Sequence, residues 1–161
     1  MHNDKLDEID VKILEILQRQ GRTKRNELAE AVSLSIPSIS ERLRKLEEND
    51  VLEGYYAVVN AKKVGLSVTA FILIQADSSK KNADFVGKAL EHPEILECHS
   101  ITGEGSHVLK IRTKDTETLE RLIYLIHSWG GVKDTRTMVV LSSAKESSVL
   151  PLNYLQAKQR K

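Results

Sequence analysis

Between Arg19 and Lys45 the sequence gathers seven basic side chains, Arg19, Arg22, Lys24, Arg25, Arg42, Arg44 and Lys45, against three acids, Glu27, Glu30 and Glu41. Guanidinium and ammonium groups at this density hold phosphate, and an arginine can also grip the O6 and N7 acceptors of guanine with both arms of its fork. The last three bases follow a run of small residues, Ser35-Ile36-Pro37-Ser38-Ile39-Ser40-Glu41. On a helix at 100° per residue, Ile36, Ile39, Leu43 and Leu46 form one apolar stripe. Pro37, Ser38, Ser40, Glu41, Arg44 and Lys45 lie opposite or beside it, with Arg42 at its edge. Small side chains in the first turns let a helix backbone enter a major groove, and Arg42, Arg44 and Lys45 then stand where guanine edges or phosphates would be. With Arg22 on the preceding turn and Ser35 as helix cap, these residues are the candidate DNA-binding set. Residues 1–60 as a whole carry 12 acids against 9 bases. Charge alone therefore leaves a DNA face and a solvated mixed-charge surface equally open.

Other reactive residue types are sparse. Cys98-His99 has no second Cys or His pair at metal-ligand spacing, so no metal site is expected. No Ser-His-Asp set, Gly-rich phosphate loop or paired carboxylates stand out, so neither catalytic residues nor a bound cofactor is expected. Trp129 reads as a core or interface residue. The Gly103-Glu104-Gly105-Ser106-His107 turn is the other segment whose backbone can approach a ligand closely.

These residues need elements to position them. Ile9, Ile13, Ile16 and Leu17 mark an amphipathic first helix with Asp7 as N-cap and Gly21 as left-handed stop. A short second helix starts at Thr23 as N-cap and buries Leu28, Ala29 and Val32. Ser33-Leu34-Ser35 is a tight turn, Ser35 caps the third helix, Pro37 is tolerated in its first turn, and the helix ends near Asn49-Asp50. Two helices joined by about three residues, the second presenting a polar and basic face, are the parts of a helix-turn-helix. Val51 to Val59 alternates loosely and predicts a short wing-like hairpin or linker strand.

From Leu66 the period becomes two. The spacing predicts a strand through Ile74, a helix over 82–91 burying Phe85, Val86, Ala89 and Leu90, and strands over 95–101 and 107–113. A helix capped by Asp115 then buries Leu119, Leu122, Ile123 and Ile126, and a last strand spans about 134–141. This β-α-β-β-α-β order is the ferredoxin-like split βαβ, giving an α+β chain. The expected division is a helix-turn-helix over 1–53, a hinge over 54–65, the ferredoxin-like domain over 66–148 and a tail over 149–161. Strand one is apolar on both sides, and Met138 and Val140 oppose Val139 and Leu141 in strand four. A sheet face with no helices to cover it then needs a second subunit. The tail, Leu150 to Leu155 followed by Lys158, Arg160 and Lys161, offers apolar residues to a neighbouring subunit or frays.

Composition agrees with a globular chain: 40% hydrophobic and 29% charged residues, with seven aromatics, so aliphatic side chains build the cores. The single cysteine fits a reducing compartment. The acidic, amphipathic start is unlike a secretory leader, and no apolar run reaches the roughly 20 residues of a membrane span. The expected location is the cytoplasm, with no membrane partner.

These marks, in order, resemble the leucine-responsive regulator/AsnC family of prokaryotic transcription regulators. They are Leu6-Asp7, Asp10, Ile13-Leu14, Gly21-Arg22, Glu27-Leu28-Ala29, Leu34-Ser35, Arg42-Leu43, Leu46-Glu47 and Gly54-Tyr55. In the second half they are Glu97-Cys98-His99, Gly103 and Gly131-Val132-x-Asp134-Thr135-Arg136-Thr137. The resemblance runs from about Leu6 to Ser148. It implies double-stranded DNA as partner, a homodimer that builds octamers, and an amino-acid effector bound between dimers. The implied effector residues are Ser100, Gly103, Glu104, Gly105, Ser106, His107, Thr116, Met138, Val139 and Val140. Two departures stand out. Ser33 occupies the turn position where the family carries Gly, which asks a serine to adopt left-handed backbone. Ser106 replaces the Asp that helps hold the ligand's ammonium group, so ordinary amino acids are expected to bind weakly or not at all, and an acid at 106 to restore affinity. The rival reading is a ferredoxin-like ligand-binding module or small enzyme whose N-terminal helices dock a protein.

Overall fold

The computed structural model describes residues 6–77 and 82–153, the side chains of Asn82 and Ala83 apart. The tail residues from Tyr154 onward lie outside the described residues. The chain forms two compact units, one running to Val58 and taking in the residues from Lys145 onward, the other Val59–Ala144.

The first unit is a three-helix bundle. In α1 (Glu8–Arg19) the Asp7 carboxylate accepts the Asp10 N–H at 2.8 Å and the Asp10 carboxylate accepts the Asp7 N–H at 3.2 Å, a reciprocal cap. The helix ends at Gln20, and Gly21 does not take up the left-handed backbone expected of it. The Thr23 hydroxyl donates to the Gln20 carbonyl at 2.7 Å, so it closes the turn instead of capping the next helix. α2 (Arg25–Ala31) therefore starts one residue later than expected, with Lys24 as its cap, whose N–H donates to Glu27 at 3.0 Å. Ser33 does adopt φ 55°, and the Leu34 N–H reaches back to the Ala29 carbonyl at 2.9 Å. α3 (Ile36–Glu48) is capped by Ser35 with Pro37 in its first turn. Ile13, Leu14, Leu17, Leu28, Ala29, Ile39, Leu43 and Leu46 form the core. Ile36 does not join them: it is 50% exposed at the helix's first position, so the buried stripe starts at Ile39.

Two other expectations change in this unit. No wing hairpin or strand forms over 54–60 among the described residues, because an extended segment needs a partner backbone; Tyr56 and Val58 are almost bare. In the described part of the tail Leu152 packs on its own chain, while Leu150 stays 66% exposed. Leu152 lies against the bundle core, and the Gln18 side-chain amide exchanges two hydrogen bonds with the backbone of Leu150 at 2.6 and 3.3 Å.

The second unit opens with a 3-10 turn, Ala61–Val64, closed by Gly65 at φ 87°. Then follow β1 (Val68–Ala76), α4 (Asn82–Glu91), β2 (Ile95–Ser100), β3 (His107–Thr113), α5 (Thr116–His127) and β4 (Val132–Val139). The sheet order is β2-β3-β1-β4 with every neighbouring pair antiparallel, the ferredoxin-like arrangement. Ala70, Ile72 and Ile74 are fully buried with Leu109, Ile111, Phe85, Ala89, Leu119, Leu122, Ile126 and Trp129. The expectation that Leu90 joins this core fails: Phe85 and Ala89, one helical turn apart, reach it, and Leu90 is 75% exposed. Across the other face of the sheet Phe71 stands opposite Lys110 and Met138, and Leu73 opposite Val108 and Arg136. That face mixes Phe71, Leu73, Val108 and Met138 with Lys110 on the central strand β3 and Arg136 on the edge strand β4.

Candidate nucleic-acid interface and ligand loop

The outer side of α3 presents Ile36, Pro37, Ser38, Glu41, Arg44 and Lys45, all exposed. The Ser35 and Ser38 hydroxyls share a hydrogen bond of 2.8 Å, and Ser40 donates to the Ile36 carbonyl at 3.1 Å, so the first turn is small and self-satisfied. Arg44 is not a loose side chain. Its Nε and Nη2 donate to Glu41 at 3.0 and 2.6 Å, and its Nη1 to both oxygens of Glu48 at 2.6 Å. The Arg44 fork holds Glu41 below the usual carboxylate range, and the two carboxylates push Arg44 up. Lys45 is 3.8 Å from Glu41.

Arg42, expected at the edge of this face as a groove contact, turns inward instead. Its Nη1 lies 2.8 Å from Asp7 and 2.6 Å from Asp10, the two carboxylates of the α1 cap. Burial alone would raise Asp7; the Asp10 N–H and the Arg42 guanidinium outweigh it and hold the carboxyl below its ordinary value. Arg42 thus ties the start of α1 to the middle of α3. Neither partner was visible in the sequence, because they lie 32 or more residues away.

The bases at the α1–α2 turn behave differently. Arg19, Arg22, Lys24 and Arg25 are exposed, and none has an ion pair among the described residues. Four exposed bases without ion pairs thus lie within seven residues at this turn. Three features of the candidate interface were not read from the sequence: the exposed Ile36, assigned to the core, and Glu48 and the Asp7–Asp10 pair, which hold Arg44 and Arg42.

In the second unit Gly103 and Gly105 take φ 100° and 95°. A Cβ at Gly105 would sit 3.0 Å from the Ile74 carbonyl, so the loop closes directly onto the end of β1. Ser106 fastens it there. Its N–H donates to the Ile74 carbonyl at 2.7 Å, and its hydroxyl donates to that carbonyl and accepts from the Ala76 N–H, both at 3.1 Å. The sequence places Ser106 against a ligand; in the fold it is a clamp. An aspartate cannot donate to Ile74, so the expected gain from an acid at 106 does not follow from this geometry. His107 packs edge-on against Phe85, and burial lowers its pKa, favouring the neutral ring. Glu104 reaches Arg136 at 2.7 Å.

The expected effector residues do not all meet within one chain. Ser100 pairs with His107 beside Gly103–Ser106, at the Ile74 end of β1. Val139 pairs with Ala70, four residues along the strand or about 13 Å away, with Met138 and Val140 beside it. Thr116 lines a shallow groove along α5 with Glu117, Leu119, Glu120, Ile123, Tyr124 and His127. Among the described residues no three His, Cys, Asp or Glu side chains gather as a metal site. No helix among them is long and apolar enough to cross a membrane.

Residues 6–53 match a winged helix-turn-helix DNA-binding domain, and residues 69–150 match the Lrp/AsnC ligand binding domain. The chain belongs to the Lrp/AsnC family. It is 39% identical over 147 residues to the HTH-type transcriptional regulator FL11 of Pyrococcus furiosus, covering 91% of this chain and 97% of that relative. It is 45% identical over 139 residues to the HTH-type transcriptional regulator YezC of Bacillus subtilis, covering 86% and 96%. The crystal structure of a Neisseria meningitidis transcriptional regulator in complex with L-Met aligns at a TM-score of 0.90 and 34% identity, covering 93% of this chain and 99% of that one. Like these Lrp/AsnC relatives, the chain is a helix-turn-helix transcription regulator with a DNA-binding domain and a ligand-binding domain.

Proposed function

We propose that this Lrp/AsnC regulator reads duplex DNA with α3 in the major groove while the α1–α2 turn holds the phosphate backbone. The observation that carries the reading is the division of charge. The bases of α3 are paired with acids, whereas Arg19, Arg22, Lys24 and Arg25 stand free beside it. Ile36 and Pro37 offer apolar contact to a thymine methyl, and Arg44 a fork to guanine. Copies pair through the sheet face centred on Phe71, Leu73, Val108 and Met138 and assemble further, to an octamer, in the cytoplasm. No catalytic role is assigned. Alanine at Arg22, Lys24 and Arg25 is expected to weaken binding evenly across sequences and to lower the salt slope by about one for each side chain that had neutralised a phosphate. Alanine at Arg44 is expected to cost about tenfold or more on the specific site alone. Fluorescence anisotropy over a salt series separates the two. A salt slope unchanged in the triple variant would remove the turn from the interface.

The Neisseria meningitidis relative was solved in complex with L-Met. In this chain Ser106 is occupied with Ile74 and Ala76, and Glu104 with Arg136, so the loop presents no unpaired carboxylate to an ammonium group. We therefore assign ordinary amino acids dissociation constants no tighter than about 1 mM. Calorimetry against the twenty amino acids tests this, and binding of any one clearly tighter than about 1 mM would overturn it.

A further inference from the structure

We propose that Glu41 and Glu48 are specificity-determining residues that keep Arg44 from being captured by phosphate and release it to a guanine flanked by a cytosine amino group. The proposal rests on the reading above, that α3 enters the groove. All three guanidinium nitrogens of Arg44 are engaged, Nε and Nη2 by Glu41 and Nη1 by both oxygens of Glu48. Residues 41, 44, 45 and 48 share one helical face at spacings of three and four, and their charges sum to zero. This face therefore adds little to sequence-independent attraction, which falls to the α1–α2 turn.

A phosphate that took Arg44 would have to displace both carboxylates and leave them facing the anionic backbone. A guanine also displaces Glu41 from the fork, but the adjacent cytosine gives the freed carboxylate a new partner. The guanine O6 and N7 accept the same fork in the same plane, and Glu41, once displaced, can accept from the N4 amine of a cytosine. Glu41 and Arg44 are three residues, about 4.5 Å, apart along the helix axis, which places the cytosine on the base pair adjacent to that of the guanine.

Selection of bound duplexes from a random pool identifies the preferred site. Affinity is then measured on that site and on a scrambled duplex over a salt series, for the full chain and its Glu41→Gln, Glu48→Gln and Arg44→Ala variants. The parent is expected to select a guanine with a neighbouring cytosine. Glu41→Gln and Glu48→Gln are expected to bind the scrambled duplex about tenfold more tightly, with a salt slope steeper by about one as Arg44 takes a phosphate. Glu41→Gln should also lose the cytosine preference. If Arg44→Ala weakens the selected site while both glutamine variants leave the scrambled affinity and slope unchanged, this proposal fails and the α3 reading stands. If the parent selects no sequence, or Arg44→Ala changes nothing, the α3 reading fails and takes the proposal with it.

Discussion

Ile72→Asp is expected to abolish folding of the second unit, whereas Phe71→Asp, one residue earlier, is expected to leave it folded and monomeric. Ile72 is fully buried between sheet and helices, among Ala70, Ile74, Leu109 and Ile111. These neighbours are aliphatic and offer a carboxylate neither charge nor hydrogen bond, so placing one there costs several kcal/mol, a large part of the 5–15 kcal/mol that holds a typical domain together. Phe71 points to the other face, half-buried between Lys110 and Met138 on the flanking strands. In an isolated copy an aspartate at 71 is solvated and faces a lysine, so folding survives. In a pair of copies joined through this face it becomes a buried charge. Circular dichroism with sedimentation velocity on both variants tests the assignment. A folded monomer from Ile72→Asp, or an intact oligomer from Phe71→Asp, would contradict it.

The second large effect is expected at Arg42. Arg42→Ala leaves Asp7 and Asp10 facing each other across the α1 cap without their cation. The loss is about 1–3 kcal/mol, toward the lower end because Asp7 is partly solvated. DNA binding should fall with it, since the pair fixes the angle between α1 and α3. The pH dependence has a definite sign. Asp7 titrates below its ordinary value in the folded chain, so its contribution is complete above about pH 4 and is lost as pH falls through the depressed value. Arg42→Ala is therefore expected to flatten the acid limb of stability, measured by urea denaturation between about pH 3 and 7. A phosphate-contacting Arg42 would behave otherwise: the variant would keep its stability and acid limb and lose only affinity and salt slope.

What could be read in advance was local. The caps at Asp7, Ser35 and Asp115 and the left-handed Ser33 depend on neighbours within a few residues, and hydrophobic period distinguishes helix from strand over whole elements. The misreadings came where local pattern is silent about what lies across the gap. Ile36 and Leu90 obey the helical period yet sit where their helices have no neighbour to cover them. Arg42 and Ser106 looked like surface groups because their partners, Asp10 and Ile74, are each 32 residues away in sequence. The Glu41–Arg44–Glu48 cluster, by contrast, was available from spacing alone. Its consequence for specificity needed the observation that both carboxylates take Arg44 at once.

Whether α3 reads DNA is tested most directly by selection of bound fragments from genomic DNA by the full chain, with the Arg44→Ala variant run in parallel. The expected result is a recurrent sequence containing guanine, enriched by the parent and lost by Arg44→Ala while general affinity for DNA persists through Arg19, Arg22, Lys24 and Arg25. Enrichment of the same sequence by both proteins, or of none by a folded parent, would contradict it.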